Sequence, residues 1–148
     1  MDVIGSGIDL VDVARVADMI ARHGQAFLDR CFTAAEQAYC DHAPRRRFEH
    51  YAARFAAKEA VLKALGTGWR DGIAWTDIEI AREPSGRPRV AVTGRCAEIA
   101  AGQGIGAWQV SLSHTDTLAT ALALACRGSA PGSGAADAAD ASSSRRKV

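Results

Sequence analysis

Hydrophobic positions recur at two periods along this chain, and the switches between them outline its elements. Near the start, Val3-Ile-Gly-Ser-Gly-Ile-Asp-Leu-Val11 mixes β-branched residues with two glycines, which predicts a strand running into a loop with Asp9 at its end. Over residues 12–23 the period lengthens, and Val13, Val16, Ala17 and Ile20 share one helical face. Gly24 breaks that helix, and Phe27 and Leu28 pack as a further short turn. Thr33-Ala-Ala-Glu36 is a capping box opening a second helix through Tyr39 and Cys40, which Pro44 ends. A long helix over residues 45–65 follows, capped by Gly66, with Gly68 giving the next loop room to approach a ligand. Residues 73–81 then alternate as a half-buried strand, 83–88 form a turn and 89–92 the returning strand. A short helix over 95–101 precedes two more strands, 107–113 and 118–125, joined at His114-Thr-Asp-Thr117. The last of these is alanine-rich enough for a helix, but its tight bracketing favours a strand. Strand, helices, then strands without regular alternation predicts an α+β domain, a mostly antiparallel sheet packed on one long helix plus shorter helices.

The long helix carries the anomaly. Its apolar stripe runs through Phe48, Ala52, Phe55 and Leu62, and Glu59 occupies the missing step. An ionised carboxylate on a buried stripe must be paired, metal-bound or turned to a wet cleft. Glu59 and Lys63 form an i, i+4 pair in the favourable order, whereas Arg54 and Lys58 are a like-charged i, i+4 pair that calls for an anion. Arg54, Lys58 and Lys63 therefore read as phosphate ligands. Arg45, Arg46 and Arg47 crowd cations at the helix start, where the dipole disfavours them, so they are either a solvated run or an anion-recruiting cluster.

Other polar positions keep two readings. Asp9 is a turn or cap residue, or the partner of Glu59. Gly5 and Gly7 resemble only half of a dinucleotide-binding fingerprint. Arg15, Met19 and Arg22 lie on one exposed stripe of the first helix, a solvated face or a docking surface for an acidic protein. Ser113-His114 is a local hydrogen-bonding turn or part of a site.

Composition narrows the classes. A chain of 148 residues holds one hydrophobic core and one site, with room for a second subunit to complete it. No apolar run approaches a membrane span, and a net charge of +1 does not point to nucleic acid. Met1-Asp2-Val3 lacks the basic start of a secretory leader, so the expected location is cytoplasmic. Cys31, Cys40, Cys96 and Cys126 show no metal or disulfide spacing and read as packing residues. Residues 127–148 carry no large apolar side chain before Val148 and read as a disordered tail, leaving 1–126 as the domain.

Two carboxylates, Asp9 and Glu59, beside Arg54, Lys58 and Lys63 suit Mg²⁺ at a nucleotide or pyrophosphate, with phosphate oxygens and waters completing its shell. The cation would let Asp9 approach a pyrophosphate, and the chemistry is of the phosphoryl-transfer kind. Gly5-Ser-Gly-Ile-Asp-Leu-Val11, Arg54-Phe-Ala-Ala-Lys-Glu-Ala60 with Lys63-Ala-Leu-Gly-Thr-Gly68, and Ser111-Leu-Ser-His-Thr115 together resemble the short, trimeric holo-[acyl-carrier-protein] synthase type of the 4′-phosphopantetheinyl transferase family. The resemblance covers about residues 3–126.

That resemblance implies the family fold and transfer of 4′-phosphopantetheine from coenzyme A to a serine of apo acyl carrier protein, releasing adenosine 3′,5′-bisphosphate, in support of fatty-acid or polyketide synthesis. It implies Mg²⁺ on Asp9 and Glu59, with Lys63 as a catalytic phosphate contact. Arg46, Arg54, Lys58, Gly66, His114 and Thr115 are implied to lie along coenzyme A. It further implies that Arg15, Met19 and Arg22 dock the carrier protein, and that the chain forms a homotrimer with sites between subunits. The general base stays open between a metal-bound water and a nearby carboxylate. A metal-dependent pyrophosphohydrolase and a non-catalytic coenzyme A-binding module would use the same residues.

Overall fold

The computed structural model describes residues 2–128, so the greater part of the expected tail lies outside the described residues. The elements in order are β1 (Val3–Asp12), α1 (Val13–Cys31), α2 (Ala34–Asp41), a 3-10 turn (Pro44–Arg46), α3 (Arg47–Leu65), a second 3-10 turn (Trp75–Asp77), β2 (Ile78–Arg82), β3 (Pro88–Val92), α4 (Gly94–Gly102), β4 (Ile105–His114) and β5 (Leu118–Arg127). The strands form two antiparallel sheets. One is three-stranded in the order β1-β5-β4, and the other pairs β2 with β3. This is the expected α+β arrangement, with α3 lying across the three-stranded sheet.

Small residues allow that close approach. The inward positions of β5 are Ala119, Ala121, Ala123 and Ala125, all buried, and α3 answers with buried Ala53, Ala56, Ala57, Ala60 and Ala64. Gly5 and Gly7 of β1 lie directly on the helix backbone. A Cβ at Gly5 would strike the carbonyl oxygen of Ala64, and one at Gly7 that of Ala60. The two glycines therefore serve helix-strand contact rather than a phosphate loop. They also leave β1 unbroken, so Asp9 sits inside the strand, opposite Ala121, and not at its end.

Helix α3 is buried on nearly every side. The expected stripe is not its boundary: Ala52 and Leu62 are buried, Phe55 is half-buried, and Phe48 is exposed. Thr33 and Glu36 make the reciprocal capping box of α2. Gly66 ends α3 in the left-handed conformation at φ 81°. Helix α1 is interrupted at Gly24 as expected, where φ 57° and ψ −138° are not helical, and a second helical segment carries Phe27 and Leu28 on to Cys31. The strand expected from residue 73 begins only at Ile78, because Asp77 caps Ala74 N at 3.1 Å and folds residues 75–77 into a turn. Trp75 packs there between Phe55 and Trp69, at 5.1 and 5.7 Å between ring centroids. Strand β5 runs on to Arg127, one residue into the segment expected to be tail.

The four cysteines are free and buried, and burial pushes the thiols of Cys40 and Cys96 up to about 12 and about 11. Among the described residues no helix is long and apolar enough to cross a membrane.

Candidate active site

Two clusters of polar side chains flank α3. The first forms where β1 meets the helix. Asp9 points inward from the strand, and Lys63 Nζ donates to its Oδ1 at 2.9 Å and to Ile8 O at 2.8 Å. Lys63 thus bonds Asp9, not the Glu59 expected from i, i+4 spacing. Glu59 is half-buried beside them. Burial, and then the negative charge of Asp9, push its carboxyl above the usual range, while Lys63 and Arg15 oppose that. Asp9 and Glu59 together form an all-oxygen donor set suited to a hard cation. Among the described residues no group of three or more histidine, cysteine, aspartate or glutamate side chains could hold a metal, so further ligands would come from phosphate oxygens and water. Asp9 and Glu59 therefore fit Mg²⁺ shared with a bound phosphate ester.

The electrostatic reach of Arg15 to Glu59 puts the stripe of α1 beside this cluster. Arg15 is exposed and Met19 half-buried. Arg22 is also exposed, but it pairs with Asp18 at 2.9 Å, so the stripe is less cationic than its sequence suggests.

The second cluster lines a cavity of about 150 Å³ walled by Tyr39 of α2, His50 and Arg54 of α3, Arg82 of β2, and Leu112 and His114 of β4. Arg54 is only 5% exposed, and its guanidinium lies 3.9 Å from the centre of the Tyr39 ring, yet its Nε has no hydrogen-bond partner. The Arg82 guanidinium approaches the same ring at 5.2 Å. His114 meets His50 edge to face at 5.9 Å. Thr115 is turned to local duty, its Oγ1 accepting from Thr117 N at 3.3 Å and Leu118 N at 3.1 Å. Arg46 is exposed at the start of α3, while its neighbour Arg47 is held by Asp41 at 2.6 Å.

Lys58 requires a correction. It was expected at a ligand phosphate, but its side chain is fully buried and its ammonium is enclosed by protein oxygens. Nζ lies 2.8 Å from Glu36 Oε2, 3.1 Å from Trp75 O and 2.6 Å from Ile78 O. The anion that the Arg54–Lys58 repulsion called for is supplied within the chain by Glu36. Sequence reasoning missed Glu36 in that role, and also His50, Tyr39 and Arg82. The spacing of His50, one helical turn before Arg54, could have revealed it. Arg82 left no such signal, since only the fold of β2 brings it to the cavity.

An α+β frame with paired carboxylates on one side of its central helix and an arginine-histidine cavity on the other defines a protein built to handle a phosphate ester. The chain belongs to the 4′-phosphopantetheinyl transferase superfamily, whose family model matches residues 5–123. Its relatives there are holo-[acyl-carrier-protein] synthases. That of Koribacter versatilis is 47% identical over 119 residues, covering 80% of this chain and 94% of the relative. The crystal structure of holo-[acyl-carrier-protein] synthase from Neisseria meningitidis matches with a TM-score of 0.76 at 31% identity, over 83% of this chain and 98% of that one. The Helicobacter pylori synthase in complex with coenzyme A matches with a TM-score of 0.71 at 28% identity, over 81% of this chain and 98% of that one.

Proposed function

We propose that the protein transfers 4′-phosphopantetheine from coenzyme A to a serine hydroxyl of an apo acyl carrier protein, releasing adenosine 3′,5′-bisphosphate in support of fatty-acid or polyketide synthesis. The observation that carries this reading is the Asp9–Glu59 pair, set against Lys63 by a glycine-mediated strand-helix contact, in a chain whose relatives bear that activity in their names. The serine oxygen attacks the phosphorus that bears pantetheine. The bond from that phosphorus to the bridging oxygen breaks, the bisphosphate leaves, and the serine proton is lost to a base.

Mg²⁺ held by Asp9 and Glu59 would neutralise the pyrophosphate and polarise the phosphorus under attack. Lys63, anchored on Asp9 and half exposed, supplies a cation beside that position. Arg54 and His114 offer donors to the nucleotide's phosphates, with Arg46, Gly66 and Thr115 at the margins of that site. Arg15, Met19 and Arg22 form the carrier-docking face, adjoining Glu59 as transfer to a protein acceptor requires.

The chain works as a homotrimer with sites between subunits. Residues 54 and 59 are separated by about 140° around α3, so the cationic cavity and the carboxylate pair face apart in one chain. A neighbouring copy brings complementary halves together. The outer face of the three-stranded sheet supports this, since it exposes Ile8 (64%), Leu10 (63%) and Leu122 (42%) as an apolar surface for other copies to cover. A cytoplasmic location agrees with four unpaired thiols.

The test mixes the protein with coenzyme A, Mg²⁺ and apo carrier protein and weighs the carrier. A gain of one phosphopantetheine is expected. An unchanged carrier refutes transfer, and coenzyme A cleaved without a carrier would establish the pyrophosphohydrolase instead. Light scattering should give about three times the 15.6 kDa chain mass, and a monomer would refute the shared site.

A further inference from the structure

Among the described residues, two side-chain atoms are buried without a hydrogen-bond partner, His50 Nδ1 and Arg54 Nε. They belong to residues four apart on α3, and both side chains line the same cavity. Folded proteins leave few such atoms, so two at one cavity indicate that a ligand completes them. The surroundings define the chemistry of that ligand. Facing His50 are Arg54 and Glu49 of its own helix, Tyr39 of α2, Arg82 of β2 and His114 of β4. Two arginines against one carboxylate select an anion, and Arg54 Nε can only donate.

We propose that His50 is a binding residue for a phosphate of coenzyme A, taking up one solvent proton as the phosphate enters and donating to it from Nδ1. This rests on the transferase reading above.

Without ligand, burial, then the charges of Arg54 and His114, hold His50 below the usual histidine range, and Glu49 only partly offsets them. The ring is therefore neutral in the free protein at neutral pH. A phosphate reverses that balance, because its negative charge favours imidazolium. Affinity gained through His50 is then greatest at low pH. It falls by up to about tenfold per pH unit between the free and bound values of the imidazole, and is lost above both. The ring is already placed for this role, packed 5.2 Å from Tyr39 and 5.9 Å from His114 between centroids.

Titration calorimetry on the full-length protein in two buffers of different ionisation enthalpy measures proton uptake on binding coenzyme A. Wild type should take up protons near pH 7, and His50→Phe should take up fewer and show a flatter dependence of affinity on pH. His50→Gln, which keeps an amide donor but cannot titrate, should also lose that uptake while binding more tightly than His50→Phe. Dephospho-coenzyme A identifies the source of the anion. Uptake lost with it assigns the cavity to the 3′-phosphate, and uptake kept assigns it to the pyrophosphate. Wild-type uptake retained in both variants overturns the role of His50. A wild type that modifies the carrier but binds coenzyme A without proton uptake overturns it too, and leaves the transferase reading intact. No binding of coenzyme A overturns both.

Discussion

Removing the Lys58 ammonium tests how α3 is held in the molecule. In Lys58→Met the chain keeps its volume but loses the partner 2.8 Å from Glu36 Oε2, and the carbonyls of Trp75 and Ile78 lose their donor. Glu36 would remain fully buried as a carboxylate, bonded only by Thr33 N and Ile80 N, both at 2.8 Å. Breaking a buried ion pair from one side costs about 3–5 kcal/mol. For a domain of this size that is a fall in Tm of about 10–20 °C, and a large share of a typical total stability of about 5–15 kcal/mol. The assay is thermal and urea unfolding at a fixed chain concentration. Glu36→Gln combined with Lys58→Met removes the stranded charge and should recover part of the loss, the rest remaining because the Gln amide has one acceptor oxygen for the two N–H groups of Thr33 and Ile80. If Lys58 were instead a coenzyme A ligand, Lys58→Met would raise KM for coenzyme A and leave Tm within about 2 °C of wild type, well under one kcal/mol. That outcome would refute the buried-pair account.

Glu59→Gln should abolish transfer while stabilising the metal-free fold. The Glu59 carboxyl is raised by burial and by Asp9, so its contribution favours the fold below its unfolded pKa and is lost as pH rises through the folded one. The Tm difference between variant and wild type in chelator should therefore shrink from pH 7 to pH 5. A constant difference would show that Glu59 is not perturbed. Added Mg²⁺ should raise the Tm of wild type and not that of the variant. Gly7→Ala would drive a methyl into the Ala60 carbonyl, costing about 1–3 kcal/mol and separating Asp9 from Glu59, so steady-state kinetics should show lost kcat even where the protein stays folded. Arg15→Glu should raise KM for the carrier protein several-fold with little change for coenzyme A, and equal effects on both would remove α1 from the docking face.

Local chemistry was legible in the sequence wherever neighbours in the chain decide it. The Thr33–Glu36 capping box and the Gly66 cap are of this kind. Glu59 was found by an argument that survived its own premise, since α3 has no single apolar stripe, yet a carboxylate in a helix so deeply packed is still anomalous. What failed depended on contacts far apart in sequence. Lys58 looked like an anion ligand because its partner lies 22 residues earlier on another helix. Asp9 looked like the end of a strand because Gly5 and Gly7 imitate a turn, when they are gaps that admit a helix. Residues 73–77 alternate like the strand that follows, and only the Asp77 cap and the docking of Trp75 distinguish them.

The alanine row of β5 has a consequence for the life of the molecule. That strand is hydrogen-bonded on both flanks, by β1 and β4, and roofed by α3. Its amides should be the last to exchange with deuterium, opening only when the whole domain unfolds. The carboxylates of β1 and α3 are mounted on this slowest-exchanging block. Their spacing should then be insensitive to fraying of the surrounding helices, and warming the protein should erode the docking face proposed on α1 before it disturbs the proposed site of reaction.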